Sequence, residues 1–256
     1  MLPSTYHSVA AREDAYWWHR ARRELVVALF RRHGLADGCR AIDLGCGTGG
    51  NLRLFNAFQP ALAVGVDLSE VAIGYARGKS AAMLVRADLS RTLPFAAGSF
   101  DVCTIFNVLY HSWIKDDCAT LAEARRILRP GGLLLATEPA FPILARRTDK
   151  VGLAYRRYRP AAFAAICVQA GFEVLQASCF TSFGVPMILA VRVLEWGSAL
   201  VDHVPDEATP SADMRPLNPF LNRILLSLAR WEAGAIAGGL KVPIGVTLAC
   251  LCRKPR

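Results

Sequence analysis

The run Ala41-Ile42-Asp43-Leu44-Gly45-Cys46-Gly47-Thr48-Gly49-Gly50 restricts the fold more than any other stretch of this chain. Arg40–Leu44 makes a short apolar strand, and the glycines that follow turn it into the helical segment predicted for Asn51–Phe58. A glycine turn of this kind brings backbone N–H groups close to a ligand with no Cβ in the way. The helix N-terminus favours a carboxylate or phosphate there. Asp67 ends the next predicted strand, 22 residues after Gly45. An acidic side chain at that point can accept both hydroxyl protons of a ribose. An adenosyl ligand follows, but not its identity: Gly45, Gly47 and Gly50 also satisfy the dinucleotide pattern G-x-G-x-x-G, a weak match alone.

The remainder of the chain alternates strand and helix. Strands are predicted at Ala61–Val66, Met83–Ala87, Phe100–Phe106, Leu133–Thr137, Phe172–Ser178 and Gly245–Cys252. Helices are predicted from Ser69 to Lys79, from Asp116 to Leu128 and over Ala161–Ala170, the last begun by Pro160 and stopped by Gly171. Such a series implies an α/β fold: a Rossmann-like, doubly wound parallel sheet with helices on both faces and its ligand beyond the carboxyl ends of the strands. We divide the chain into a helical leader (1–39), a core (40–179), a helical insertion or cap (180–240) and a last core strand (241–256). The leader reads as one helix from Trp18 to Gly34. The insertion reads as helices Val185–Leu200 and Phe220–Ile236 around a Pro-rich loop.

Composition narrows the class. With 53% hydrophobic and 20% charged residues, the 256-residue chain is globular. No 18-residue window is uninterruptedly apolar, and the first residues lack a signal-peptide core, so the expected location is cytoplasmic. Eight cysteines without a CxxC pair suit neither a disulfide framework nor a zinc site, and no metal is expected. The net charge of +9 resides in the flanks. Its cations are scattered rather than striped with aromatics, which disfavours nucleic acid and leaves an acidic substrate or a peripheral membrane contact open.

Further features separate the ligand classes. Asp43 places a carboxylate under the glycine loop, where a dinucleotide-binding strand keeps an apolar residue because a pyrophosphate is anionic. Asp88-Leu89 ends the third strand, where a carboxylate can accept from an adenine amino group and an apolar side chain can cover the ring. Leu93-Pro94-Phe95, Ser99-Phe100-Asp101-Val102 and Arg129-Pro130-Gly131-Gly132 complete an ordered set.

On these residues the chain resembles the class I S-adenosylmethionine-dependent methyltransferases, in their type-11-like small-molecule branch. The resemblance implies a seven-stranded sheet with strand seven antiparallel between five and six. It implies S-adenosylmethionine as cofactor and S-adenosylhomocysteine as product, with Gly45, Gly47 and Gly49 beside the methionine moiety and Asp43 near its ammonium. Asp67 and the adjacent Leu68 would serve the ribose end, Asp88 and Leu89 the adenine, and Asn107 the reactive methyl region. The leader segment Glu13–Arg23 looks like the E-x-x-HWW-x-x-x-RR opening of bacterial relatives, which often act in natural-product pathways; here Tyr16 replaces the histidine.

Methyl transfer is an in-line displacement, for which a protein mainly supplies alignment and water exclusion. A hydroxyl acceptor also needs a general base. His111, Glu138 at the pocket mouth and His19 are the candidates, and Trp17, Trp18, Tyr158 and Phe183 are candidates for holding a small apolar or aromatic acceptor. The Tyr155–Arg159 run suits an acidic substrate or a solvated face. Tyr75 and Lys79 match the YxxxK pair of dehydrogenases but fall on the helix after strand two, which makes them a chance surface pair. Two other readings stay open: an NAD(P)-dependent oxidoreductase, and a non-catalytic membrane-surface or partner-binding module. Acceptor identity and oligomeric state are not legible.

Overall fold

Short apolar runs become strands β1 (Arg40–Leu44), β2 (Leu62–Asp67), β3 (Met83–Arg86), β4 (Phe100–Phe106), β5 (Leu128–Pro139), β6 (Glu173–Phe180) and β7 (Thr247–Arg253) in the computed structural model, which describes residues 3–145, 156–197 and 217–256. They form one sheet in the order β3-β2-β1-β4-β5-β7-β6. The first five pair in parallel, and β7 runs antiparallel between β5 and β6. Strand order reverses between β1 and β4, the position at which an open α/β sheet leaves a crevice beyond its carboxyl ends.

Period-two alternation assigns each strand residue to a face. Ile42 and Leu44 of β1 point towards α4 (Asp117–Ile127) and α5 (Pro160–Gln169), packing with Leu121, Ala124, Ile127 and Phe163. Ala41 points the other way, to a cluster with Leu25, Val26, Leu29 and Phe30 of α2 (Trp17–Arg32) and Phe55 and Phe58 of the 3-10 helix Leu52–Phe58. Full burial of such side chains contributes about 1.5–3 kcal/mol each, which fixes α2 on the sheet. Asp43 shares the parity of Ala41, and α2 therefore overlies it.

The leader is two helices rather than one: α1 (Pro3–Arg12) precedes α2. Ser69 caps α3 (Glu70–Arg77), its Oγ accepting from Ala72 N–H at 3.3 Å. The helix after the glycine loop is of 3-10 type. β5 is longer than expected and runs through Arg129-Pro130-Gly131-Gly132, with a register shift against β4 between Phe100 and Val102.

The insertion holds α6 (Gly184–Gly197) and α7 (Pro219–Ala237); the intervening Pro-rich loop lies outside the described residues. Leu226, Ala229, Ala233 and Ile236 pack α7 onto the sheet beside α2, in the same cluster as Leu135 and Leu251. Its buried Glu232 accepts from Thr181 N–H (2.8 Å) and Ser182 N–H (2.9 Å), tying it to the turn before α6. Among the described residues no helix is long and apolar enough to cross a membrane. Cys167 meets the strand pair Cys250 and Cys252 in the core, the three sulfurs lying within 4.8 Å of one another.

Candidate functional site

The glycine loop leaves β1 at the switch point. Gly45 and Cys46 N–H both donate to Val66 O (2.7 and 2.9 Å), which closes the turn against β2. Gly49 has φ +86°, and a Cβ there would lie 2.9 Å from the Ala76 Cα, so only glycine lets α3 approach. At Gly47 a Cβ would meet nothing within 4 Å: the space over this residue is open to a ligand. Asp67 faces that space with both oxygens oriented, Oδ2 accepting from Gly47 N–H (2.9 Å) and Oδ1 from Ser69 N–H (2.8 Å). Burial raises the Asp67 pKa and these bonds oppose the rise.

Asp43 is wholly buried beneath the loop. Thr104 is its register partner on β4, and the Thr104 hydroxyl donates to Asp43 Oδ1 at 2.7 Å. Asp43 Oδ2 has no partner. Burial pushes the Asp43 pKa up to about 7, against the pull of Thr104 and Arg22.

Arg22 is the functional residue that sequence reasoning missed. It extends from α2 into the same region, buried, donating from Nη1 to Asn107 Oδ1 and from Nη2 to Asn51 Oδ1, each at 3.0 Å. Its guanidinium carbon lies 4.3 Å from the Trp18 ring centroid and 5.0 Å from that of Phe106. Its Nε, like Asp43 Oδ2, is buried without a partner. Burial lowers the Arg22 pKa to about 10, so it keeps its charge at neutral pH. A signal was present: Arg22 lies three and four residues before Leu25 and Val26, on the apolar stripe of its helix.

The leader also latches onto the loop. Glu13 is buried, with Thr48 Oγ1 and Lys79 Nζ both donating to its Oε1 at 2.6 Å. A Cβ on Gly50 would strike the Glu13 carboxylate at 2.3 Å, so Gly50 makes room for Glu13. The supposed dehydrogenase pair acts here: Lys79 also donates to Ala10 O (2.5 Å), and the Tyr75 hydroxyl lies 3.0 Å from His7 Nδ1. It is a docking pair for α1, not an idle surface pair. Tyr6 of α1 faces Ser69 and Asp67, and its pKa is raised by burial and by the Asp67 charge.

The other predicted residues fall into three places. After β3, Asp88 Oδ1 accepts from Ser90 N–H (2.9 Å) and Oγ (2.7 Å), bonds that lower its pKa; Leu89 is buried and Leu68 exposed. After β4, Asn107 adopts φ +57° and its Oδ1 also accepts from the Thr137 hydroxyl (3.2 Å). On the leader, Trp17 contacts Phe183 at a ring distance of 5.6 Å, and its backbone N–H donates to Asn222 Oδ1 (3.0 Å). Trp18 Nε1 donates to Thr247 Oγ1 at 3.3 Å. His111 is buried, stacked on Trp113 at 3.8 Å and tilted against Tyr110 at 4.0 Å.

Three residues differ from expectation. Glu138 does not face a pocket mouth. It is enclosed, accepting from Val108 N–H (3.1 Å), Leu109 N–H (2.9 Å) and Tyr110 N–H (3.3 Å), and so anchors the loop after β4. Burial pushes its pKa up to about 8 while those three bonds pull the other way. Tyr158 is no acceptor-facing residue: its buried hydroxyl donates to Asp117 Oδ2 (2.8 Å) and lies 3.0 Å from Leu109 O. Arg156 pairs with Asp117 at 2.8 Å and Arg157 donates to Ala140 O (3.1 Å), so these two arginines are bound to the protein, while Arg159 is exposed and Tyr155 lies outside the described residues. His19 is held neutral by burial and by Arg22, whose Nη2 lies 3.5 Å from its Nδ1.

A seven-stranded sheet with an antiparallel β7 and a glycine loop at the β1–β4 switch point is the fold of the class I S-adenosylmethionine-dependent methyltransferases. Residues 42–136 match the family model Methyltransf_11, described as a methyltransferase domain. Demethylmenaquinone methyltransferase of Staphylococcus aureus is 36% identical over 132 residues, covering 49% of this chain and 52% of that protein; the chain thus spans about half the length of this relative. Among solved structures, a chain of the complex formed with the Haloferax volcanii methyltransferase activator Trm112 superposes with TM-score 0.63 at 20% identity, covering 98% of each chain. Haemonchus contortus phosphoethanolamine N-methyltransferase 2, in complex with S-adenosyl-L-methionine, superposes with TM-score 0.57 at 21% identity over 91% of this chain and 52% of that one.

Proposed function

We propose that this protein transfers the methyl group of S-adenosylmethionine to a small apolar or aromatic acceptor. The observation that carries the reading is a pair of buried, unpartnered atoms of opposite polarity at the glycine loop: Asp43 Oδ2 and Arg22 Nε. An unsatisfied buried polar group costs about 1–3 kcal/mol, so the pair fits a ligand that brings both an ammonium and a carboxylate. An α-amino acid does so; a pyrophosphate would set its charge against Asp43, which disfavours the dinucleotide reading. Asp67 suits the ribose hydroxyls, and Asp88 with Leu89 and Leu68 the adenine.

When bound, the cofactor supplies a methyl group already activated on a sulfonium. The chain's own residues then align and shield. Gly47 leaves room over the loop, Asn107 is fixed by Arg22 and Thr137, and Glu138 holds the backbone of Val108, Leu109 and Tyr110 in place. Glu138 is thus a positioning residue. His19, neutral beside a guanidinium, is a poor base. His111 remains for accepting a proton from a hydroxyl acceptor. Trp17 and Phe183 supply an apolar wall, which agrees with the quinone-type acceptor in the name of the Staphylococcus relative.

Calorimetric titration with S-adenosylmethionine, S-adenosylhomocysteine and NAD tests the cofactor. Micromolar binding of the first two is expected, weakened in Asp67→Ala by about 1–3 kcal/mol, the cost of lost hydrogen bonds to a charged group. Binding of NAD alone would overturn the reading. For the acceptor chemistry, His111→Ala should leave cofactor binding intact and lower turnover; full activity would return His111 to a wall residue.

A further inference from the structure

α7 is packed on one side only. Its inner face, Leu226, Ala229, Glu232, Ala233 and Ile236, is buried. Its outer face presents Phe220, Ile224, Leu228 and Trp231 at positions i, i+4, i+8 and i+11, a single apolar stripe along a helix about 28 Å long. The two aromatic ends are the most exposed, Phe220 at 72% and Trp231 at 77%. Phe220, Ile224 and Leu228 line a shallow surface depression of about 340 Å³ together with Arg223 and Ser227. Contiguous exposed apolar surface of this kind marks a contact with something.

Charge narrows what that something is. The exposed face of α7 carries Arg223 and Arg230 and no acidic residue, because Glu232, the sole acid of the helix, is turned inward. The neighbouring α2 adds Arg20 and Arg32, the latter donating to Ala237 O at the end of α7; its one acid, Glu24, pairs with Arg230, and its Arg31 pairs with Asp37, each at 2.7 Å. A helix with an apolar stripe, aromatic ends and only cations among its exposed charges matches the interface of an anionic bilayer, where the stripe enters the acyl boundary and the arginines meet phosphates. The stripe also leads to the site. Asn222, within the first turn of α7, holds the backbone of Trp17, whose ring contacts Phe183.

We infer that α7 seats this protein on an anionic lipid surface, with the acceptor wall at the membrane-facing end of the helix. The part concerning the acceptor rests on the methyl-transfer reading; the surface contact does not. Because α7 is already folded and anchored by Glu232, the helix itself need not form on binding, and its contribution to affinity follows from the stripe and the cations.

Cosedimentation with vesicles of phosphatidylglycerol and phosphatidylcholine, against pure phosphatidylcholine, tests it on the full chain. The protein should pellet with the anionic vesicles, release as salt rises, and bind pure phosphatidylcholine weakly. Its tryptophan emission should shift to the blue, and the shift should vanish in Trp231→Phe. Phe220→Ser with Trp231→Ser should raise the lipid concentration for half-binding by about tenfold or more. S-adenosylhomocysteine affinity measured on the same variant reports that it is folded. Absence of pelleting by the wild-type chain, or equal pelleting by the variant, overturns the inference. So does a wild-type dimer that the double variant converts to monomer, which would make the stripe a self-contact. So does a stripe shielded by residues 198–216, seen as vesicle binding only after that segment is replaced by a Gly/Ser linker. Loss of cofactor binding in the wild-type chain would sink the methyl-transfer reading and leave the vesicle result standing.

Discussion

Arg22 and Asp43 approach from different elements, one on the leader and one on the first strand, and each keeps one polar atom unsatisfied in the folded chain. If the pair receives the two charges of an amino acid, ligand fragments should discriminate between its halves. Arg22→Met is expected to weaken S-adenosylhomocysteine binding by about 1.5–3 kcal/mol, the range for hydrogen bonds to charged groups. The same change should leave 5′-methylthioadenosine, which lacks the amino-acid moiety, bound as before. Equal weakening of both ligands would assign Arg22 a purely structural role. Asp43 and Asp67 were legible because their positions follow from strand ends and from a glycine count. Arg22 was legible only through its helical spacing, and its destination was not, since nothing in the local pattern tells which of Arg20, Arg22 and Arg23 turns inward.

At the scale of elements, the strands emerged from apolar runs and turn glycines because their side chains report burial directly. Helix α7 was legible as a helix, yet its place against α2 was not, because packing partners 200 residues apart leave no periodic trace. The same holds for α1. Glu13, Thr48 and Lys79 look unrelated along the chain, but together they lock the leader to the glycine loop. Lys79→Met leaves Glu13 buried with a single remaining donor, and should destabilise the fold by about 1–3 kcal/mol, the cost of an uncompensated buried group. Chemical denaturation measures this, and hydrogen exchange should show the loss concentrated in residues 3–13. A uniform change across the sheet would mean that α1 does not open as a separate unit.

For the whole molecule, the buried acids set a pH dependence. Asp43 at about 7 and Glu138 at about 8 retain protons that the unfolded chain has released above about 4, so unfolding free energy falls as pH rises towards 8. His19 and His33, lowered by burial and by neighbouring arginines, act oppositely, but only below the unfolded histidine value of about 6.5. Between about pH 6.5 and 8 the acids act unopposed by these histidines. The free protein should lose stability there with a slope of up to about 1.4 kcal/mol per pH unit for each titrating group. Denaturation midpoints across that window should flatten in Asp43→Asn; an unchanged slope would place the titration elsewhere. A bound ammonium beside Asp43 favours the carboxylate, so cofactor affinity should improve as pH rises through about 7.

The hold of Glu13 on Thr48 and Lys79 has a practical consequence for anyone who would trim the protein. A fragment begun at Arg40, where the first strand starts, would keep every strand of the sheet and the entire glycine loop. It would lack Tyr6, Glu13 and Arg22, and with them the cover on Asp67, the plug against Gly50 and the brace on Asn107. It would also strip α2 from the sheet face that carries Ala41 and Val102, leaving that face mainly to the 3-10 helix and α7 among the described residues. Such a fragment should therefore be less stable than the full chain, and the leader is part of the masonry around the glycine loop rather than an appendage to it.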